Sequence, residues 1–168
     1  LLEYQAPALQ DLIRGNSAID DISFVCVTPQ FCTVGKETER LIKTSEGGYA
    51  KGTLRNLKDA PEFLAAQAGE TYTSPAQFGS TTPYLQLSSP VLNQQEKIIA
   101  VVTERIRLDY VQDEIVSKAI LGETGYVYTI DSANRIIAHP DKARIGQTVS
   151  HLPLIQPFAV SGGAPRKR

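Results

Sequence analysis

The sequence predicts one α+β domain, an antiparallel sheet carrying helices on one side. Three observations carry this. Apolar patterning gives the order helix, two strands, loop, helix, two or three strands, helix, two strands. The connections between the later strands are short, which favours antiparallel pairing. Residues 125–141, GYVYTIDSANRIIAHPD, read as a hairpin: Tyr126, Val127 and Tyr128 lead to Ile130, and Asp131-Ser132-Ala133-Asn134 is a turn cluster. Arg135-Ile136-Ile137-Ala138 then resumes the apolar run, which closes on His139-Pro140-Asp141.

In residues 1–14, Leu2, Ala6, Leu9 and Ile13 recur at helical spacing; Pro7 fits only near the helix start, and Gly15-Asn16-Ser17 ends it. Residues 19–28 contain Ile22-Ser23-Phe24-Val25-Cys26-Val27, a buried strand, and residues 32–44 a second. Residues 44–60, with Gly47-Gly48, read as a loop with at most one short strand. Asp59 as N-cap, Pro61 in the first turn and Glu62 three residues on predict a helix to about Ala68, stopped by Gly69. Thr71-Tyr72-Thr73 and Tyr84-Leu85-Gln86-Leu87 read as strands punctuated by Pro75, Pro83 and Pro90. A strand over residues 97–105 follows, built on Ile98-Ile99-Ala100-Val101-Val102. Asp109 and Gln112 suggest a second capping box. Leu108, Val111, Ile115 and Ala119 form one helical face ending at Gly122. The segment after Leu154 reads as a tail, and no internal repeat is present.

The chain has 168 residues, enough for one domain with a core, and its apolar content of 42% and charged content of 21% are those of a globular protein. A net charge of −1 with intermixed signs disfavours nucleic acid or an anionic membrane as partner. No apolar run approaches the ~18 residues of a membrane span. The absence of a starting Met and of a signal peptide marks the chain as a piece of something longer. Cys26 and Cys32 bracket a turn at Thr28-Pro29-Gln30; they either form a disulfide in an oxidising compartment or are two small buried thiols. A lone pair of this kind does not argue for zinc. No nucleophile elbow, Walker loop or dinucleotide fingerprint occurs, so no catalytic residue, metal or cofactor is expected. Of the two histidines, His139 and His151, the first reads as a turn residue whose ring bonds the backbone. Glu104 with Asp109, and Asp113 with Glu114, read as surface charges.

Several pieces, in order, resemble the extracytoplasmic Cache domain, the PDC or PAS-like sensor of bacterial receptors. They are Asp59-Ala60-Pro61-Glu62-Phe63-Leu64, Tyr72-Thr73-Ser74-Pro75, Pro83-Tyr84-Leu85-Gln86-Leu87, Ile99-Ala100-Val101-Val102, Ile106-Arg107-Leu108-Asp109-Tyr110-Val111 and the hairpin ending at His139-Pro140-Asp141. The resemblance implies an N-terminal helix and a five-stranded antiparallel sheet flanked by helices. It implies that residues 1–158 are a membrane-distal sensor module and 159–168 a linker. It further implies a periplasmic or extracellular ligand-binding part of a receptor such as a histidine kinase or chemoreceptor. Such a receptor takes a small-molecule ligand, acts as a homodimer, meets the membrane only through segments outside this chain, and has no enzymatic activity in this domain. The alternatives are a structural dimerisation module without ligand and, last, an enzyme of PAS-like fold.

Departures from the amino-acid-binding members shape the site expected here. Their Arg-x-Arg-Pro-Trp-Tyr patch reads Lys58 and Ala60 at the arginines, and Glu62 and Phe63 at the aromatics. Their ammonium-binding aspartate falls at Arg105. A cation there suggests an anionic ligand held by a guanidinium fork, with Val101, Thr103 and Arg105 on one face. The alternative is an Arg105 that is solvated or paired with Glu104 or Glu114. Tyr72, Tyr84 and Gln86 are further pocket candidates, with Lys58, Phe63 and Asp131 beside them, under the loop at residues 51–60.

Overall fold

The dense apolar run becomes the middle of the sheet. β1 (Ile19–Cys26) lies between β2 (Glu37–Lys43) and β6 (Ile98–Arg107), with β3 (Tyr49–Lys51) beyond β2, and β5 (Tyr84–Leu92) and β4 (Tyr72–Thr73) beyond β6. All neighbours in this six-stranded sheet are antiparallel. The resemblance implied five strands; the sheet has six, with short β3 and β4 at its two edges. The structure is a computed structural model that describes residues 5–79, 82–119, 121–123 and 125–149. His151 and the expected linker at 159–168 lie outside these.

The chain forms two compact units. One comprises the residues up to Ser74 together with Tyr84–Arg107, and the other Pro75–Pro83 together with the residues from Leu108 onward.

In the first unit the helices lie on both faces of the sheet, not on one as expected. α1 (Gln5–Gly15) buries Leu9 and Ile13 against Ile19, Ile22, Phe24, Leu41 and Ala100. α2 (Pro61–Gln67) buries Phe63 and Ala66 against Val25 and Val101. The physical reason is in β1 itself. Ile22 and Phe24 alternate with Ser23 and Val25, and all four are buried, so each face needs a cover. Pro61 opens α2, but the N-cap is Ala60 with no side-chain cap bond, so the capping box expected of Asp59 does not form. Pro90, expected to bound a strand, lies within β5 opposite Val101. It is tolerated because β4 pairs only with Leu87 and Ser88 and leaves that edge open.

A disulfide joins Cys26 and Cys32, with 6.0 Å between Cα atoms. It closes the loop that leaves β1. Replacing Cys32 with Ser is expected to lower stability by about 2 kcal/mol, the loop-closure entropy of so short a ring. Urea unfolding of both proteins measures this. No loss would mean that the backbone bonds Gly35 N to Cys26 O (2.8 Å) and Cys26 N to Lys36 O (2.9 Å) hold the loop unaided.

The second unit holds α3 (Leu108–Val111), a π-helical turn Gln112–Val116, the hairpin β7 (Thr129–Ile130) and β8 (Ile136–Ala138), and a 3₁₀ turn Lys142–Arg144. The expected long helix is thus shorter. Ser117 N bonds Gln112 O (2.9 Å), widening the coil by one residue. Leu108, Gln112 and Val116 are the buried set, while Ile115, expected on the apolar face, is 51% exposed. Gln112 caps nothing: its Oε1 accepts from His139 N (2.8 Å) and its Nε2 donates to Ser117. His139 is the turn residue expected, its Nδ1 accepting from Asp141 N at 2.8 Å.

Candidate functional site

On the α2 face of the sheet, one end is apolar under Phe63 and the rest is polar. Cross-strand register sets two rows. Tyr72, Ser88, Thr103, Ser23 and Arg40 lie opposite one another across β4, β5, β6, β1 and β2, and beside them run Gln86, Arg105 and Asp21. Ser88 and Thr103 share a hydrogen bond of 2.9 Å. The Ser23 hydroxyl is fully buried and has no hydrogen-bond partner among the described residues, a cost normally of about 1–3 kcal/mol. Asp21, Arg55, Tyr84, Gln86, Thr103 and Arg105 line a cavity of about 40 Å³.

The charges come in matched pairs. Arg40 forks onto Asp21 through Nε (3.0 Å) and Nη2 (2.6 Å), and its Nη1 donates to Thr53 O. Arg55 forks onto Glu37 through Nε (2.9 Å) and Nη2 (2.6 Å), while its backbone N reaches the other carboxylate oxygen. Arg105 forks onto Asp20 through Nε (2.7 Å) and Nη2 (3.1 Å), and its guanidinium carbon stands 5.1 Å from the Tyr84 ring centre. The bond to Asp20 raises the Arg105 pKa further, outweighing the opposing effect of burial, as the bond to Asp21 does for Arg40.

A β-bulge makes the third pair. Ile19 faces Ile106 and Asp21 faces Arg105, so Asp20 is the extra residue. Ile19 and Ile22, three apart, both enter the core under α1, which strict alternation forbids. The two aspartates between them are left for the other face.

The segment after β3 is pinned along β2. Gly52 N bonds Arg40 O (2.9 Å), Glu37 N bonds Arg55 O (3.0 Å) and Leu57 N bonds Gly35 O (2.7 Å). Gly35 is required there: its φ is +80°, and a Cβ would stand 2.5 Å from Lys58 Cα.

The expected residues thus separate. Arg105, Tyr84 and Gln86 line the cavity, with Gln86 Nε2 also donating to Glu62 on α2 (3.2 Å). Tyr72 is half-buried in the adjacent row. Phe63 is 1% exposed and packs in the apolar core, and Lys58 is exposed and does not line the cavity. Asp131 belongs to the second unit, where its carboxylate accepts from Ala76 N, Ala133 N and Arg135 N and Nε. Arg105 is paired, but with Asp20 instead of Glu104 or Glu114. Asp20, Asp21, Arg55 and Ser23 are additions that the sequence reading does not contain. Adjacent aspartates inside an apolar run were the available signal, since a buried strand carries such charges only when they are partnered.

The sequence profile described as the Cache 3/Cache 2 fusion domain matches residues 42–156, more than half of the chain. The chain belongs to that family. Solved structures share the fold of this Cache domain. The extracellular domain assigned to the histidine kinase mmHK1S-Z2 superposes with a TM-score of 0.66 at 15% identity, over 96% of this chain and 67% of that one. Methyl-accepting chemotaxis protein X gives 0.62 at 15%, over 94% and 65%. The ligand-binding domain of the Campylobacter jejuni chemoreceptor Tlp3, in complex with L-valine, gives 0.58 at 16%, over 95% and 60%. The Cache chain therefore spans about two thirds of these structures' length or less. No curated protein matches it. Among the described residues, no helix is long and apolar enough to cross a membrane.

Proposed function

We propose that this Cache domain is the extracytoplasmic sensor of a transmembrane receptor, and that it binds a small molecule carrying an anionic group on the polar face of the sheet. The observation that carries this is the convergence of Arg105, Arg55, Tyr84, Gln86, Thr103 and Asp21 on one cavity. A face that served packing alone would be apolar throughout, as it is under Phe63.

The span 1–158 serves as the membrane-distal module, 159–168 as its connection onward, and the domain itself performs no catalysis. The closed disulfide supports an oxidising compartment. The L-valine held by Tlp3 supports a small ligand, and that structure's description as a chemoreceptor domain supports a signalling output. In the receptor, the domain works as a homodimer through α1 and meets the membrane through segments outside this chain.

At about 40 Å³ the cavity is far below the ~300–1,000 Å³ of a ligand-filled pocket. Binding therefore opens it, and the segment carrying Arg55 is the part that covers it. A ligand prefers the open form and shifts the population toward it. β1 carries Asp20 and Asp21 and follows α1 directly, so the change has a covalent path to that helix.

A thermal-shift screen against carboxylates, phosphates, amino acids and amines tests the reading, repeated with Arg105→Ala. A ligand at 100 times its Kd adds about 2.7 kcal/mol. The expected hit is a carboxylate or phosphate, lost in the variant. Amino-acid hits unchanged by the variant would keep a sensor and reject the role of Arg105. The small cavity favours one rival, a dimerisation module without ligand, and absence of any hit would decide for it.

A further inference from the structure

We propose that Asp20 is a built-in competitor, a carboxylate of the protein that occupies the Arg105 fork until an anionic ligand displaces it. This rests on the sensor reading above and adds the device that regulates that site.

The three ion pairs of the face are not equivalent. In two of them the carboxylate is sealed: the side chains of Asp21 and Glu37 are 3% and 0% exposed. Each is also tied to the covering segment, through Thr53 O on Arg40 and the Arg55 backbone N on Glu37. Removing either carboxylate from its arginine would unpair a buried charge, so a ligand in solution cannot exchange with them cheaply. The Arg105–Asp20 pair is different. Its side chains are 34% and 19% exposed, so water and solutes reach both ends.

Arg105 is also held independently of Asp20. Its guanidinium stacks on Tyr84, and its strand is paired on both sides, with Gln86 and with Asp21. A planar cation fixed by an aromatic ring and by central backbone keeps its orientation when its partner leaves. The partner, by contrast, sits on a bulge, the unpaired residue of the strand. Its carboxylate presents to Arg105 the side-on geometry that a ligand carboxylate or phosphate would present. Asp20 accepts from the Nε and Nη2 protons of this guanidinium, and Tyr84 lies against its face. An anion that takes this side-on position displaces Asp20 from those protons. An anion on the remaining Nη1 edge that leaves Asp20 in place meets the repulsion of that carboxylate.

The experiment titrates malonate and inorganic phosphate calorimetrically into the wild type, Asp20→Asn, Asp20→Asn/Arg105→Gln and the control Asp11→Asn. Asp11 is an exposed aspartate of α1 outside the site, and removing it tests net charge alone. Asp20→Ser repeats the measurement without the amide. Thermal melts establish which variants are folded, and either Asp20 variant alone suffices. The expected result is binding about fivefold tighter in the Asp20 variants, the scale of losing one half-exposed competing ion pair. The gain is expected to vanish in the double variant and to be absent from Asp11→Asn. The malonate and phosphate arms separate a carboxylate ligand from a phosphate one. Equal affinity in the wild type and Asp20→Asn would overturn the competitor. So would a gain that survives loss of Arg105, or one that Asp11→Asn reproduces. The screen on the wild type judges the sensor reading by itself: a wild-type hit with no gain in the Asp20 variants rejects this device and leaves the sensor standing.

Discussion

Asp21→Ala is expected to destabilise the first unit by about 3–5 kcal/mol, the cost of leaving a buried charge without its partner. Asp21 is buried at the centre of the sheet, and its carboxylate holds both arms of Arg40, with Arg55 Nη1 at 3.9 Å. Truncation strips Arg40 of its fork while Thr53 still anchors its third arm. The guanidinium then stays buried and unpaired, or it swings out and drags the covering segment from β2. Urea unfolding measures the loss. The double variant Asp21→Leu/Arg40→Met separates charge from shape, because removing both ions together is expected to recover most of it. A loss below about 1 kcal/mol in Asp21→Ala would instead be the signature of a solvated surface pair.

Asp131→Ala has a comparable expected effect in the second unit, about 3 kcal/mol or more. The Asp131 side chain is 1% exposed. Besides Ala133 N and Arg135 N inside its own turn, it accepts from Ala76 N across 55 residues of sequence (2.9 Å). Arg135 closes the tie, bonding Asp131 with Nε (3.0 Å) and Ala76 O with Nη2, while its guanidinium covers Phe78. Deleting one carboxylate unpairs a guanidinium and several amide protons at once.

The same carboxyl gives a pH signature. Burial raises its pKa, but the bonds from Arg135, Ala76 and Ala133 outweigh burial and hold it below the ordinary carboxylate value. A folded pKa below the unfolded one means stability fully present above the unfolded value and lost as pH falls through the folded one. Asp131→Asn is therefore expected to be weaker than the wild type near neutrality and to converge with it in acid, below about pH 4. Unfolding free energies across pH 2–7 check this. A gap that stays constant with pH would show that the bonds do not depend on the charge.

Local patterns were legible where one residue's neighbours along the chain decide its state. The dense apolar run from Ile22 to Val27 announces β1, and Asp131 to Asn134 announces the hairpin turn. The resemblance points to Arg105, period-two spacing puts it on the Thr103 face, and in the fold both line the cavity. After β6, Leu108, Val111, Ile115 and Ala119 fit an α-helical stripe, whereas a buried Gln112 reaching His139 N favours the wider π turn. The resemblance alone points to Phe63 and Lys58, at positions where relatives carry an aromatic and a ligand-binding arginine. In the fold, packing draws Phe63 into the core and leaves Lys58 outside it.

By itself the sequence determined the α+β class, the strand-rich order, the hairpin with its histidine, and a resemblance that the family match bears out. Each of these follows from periodicity, turn residues or motif order, which are properties of neighbours along the chain. Tertiary structure alone decided which carboxylate meets Arg105. Asp20 and Arg105 are 85 residues apart, and their meeting depends on a single extra residue in β1. A bulge is selected by the demand that both Ile19 and Ile22 reach the core under α1, and that demand exists only once the sheet and the helix have packed.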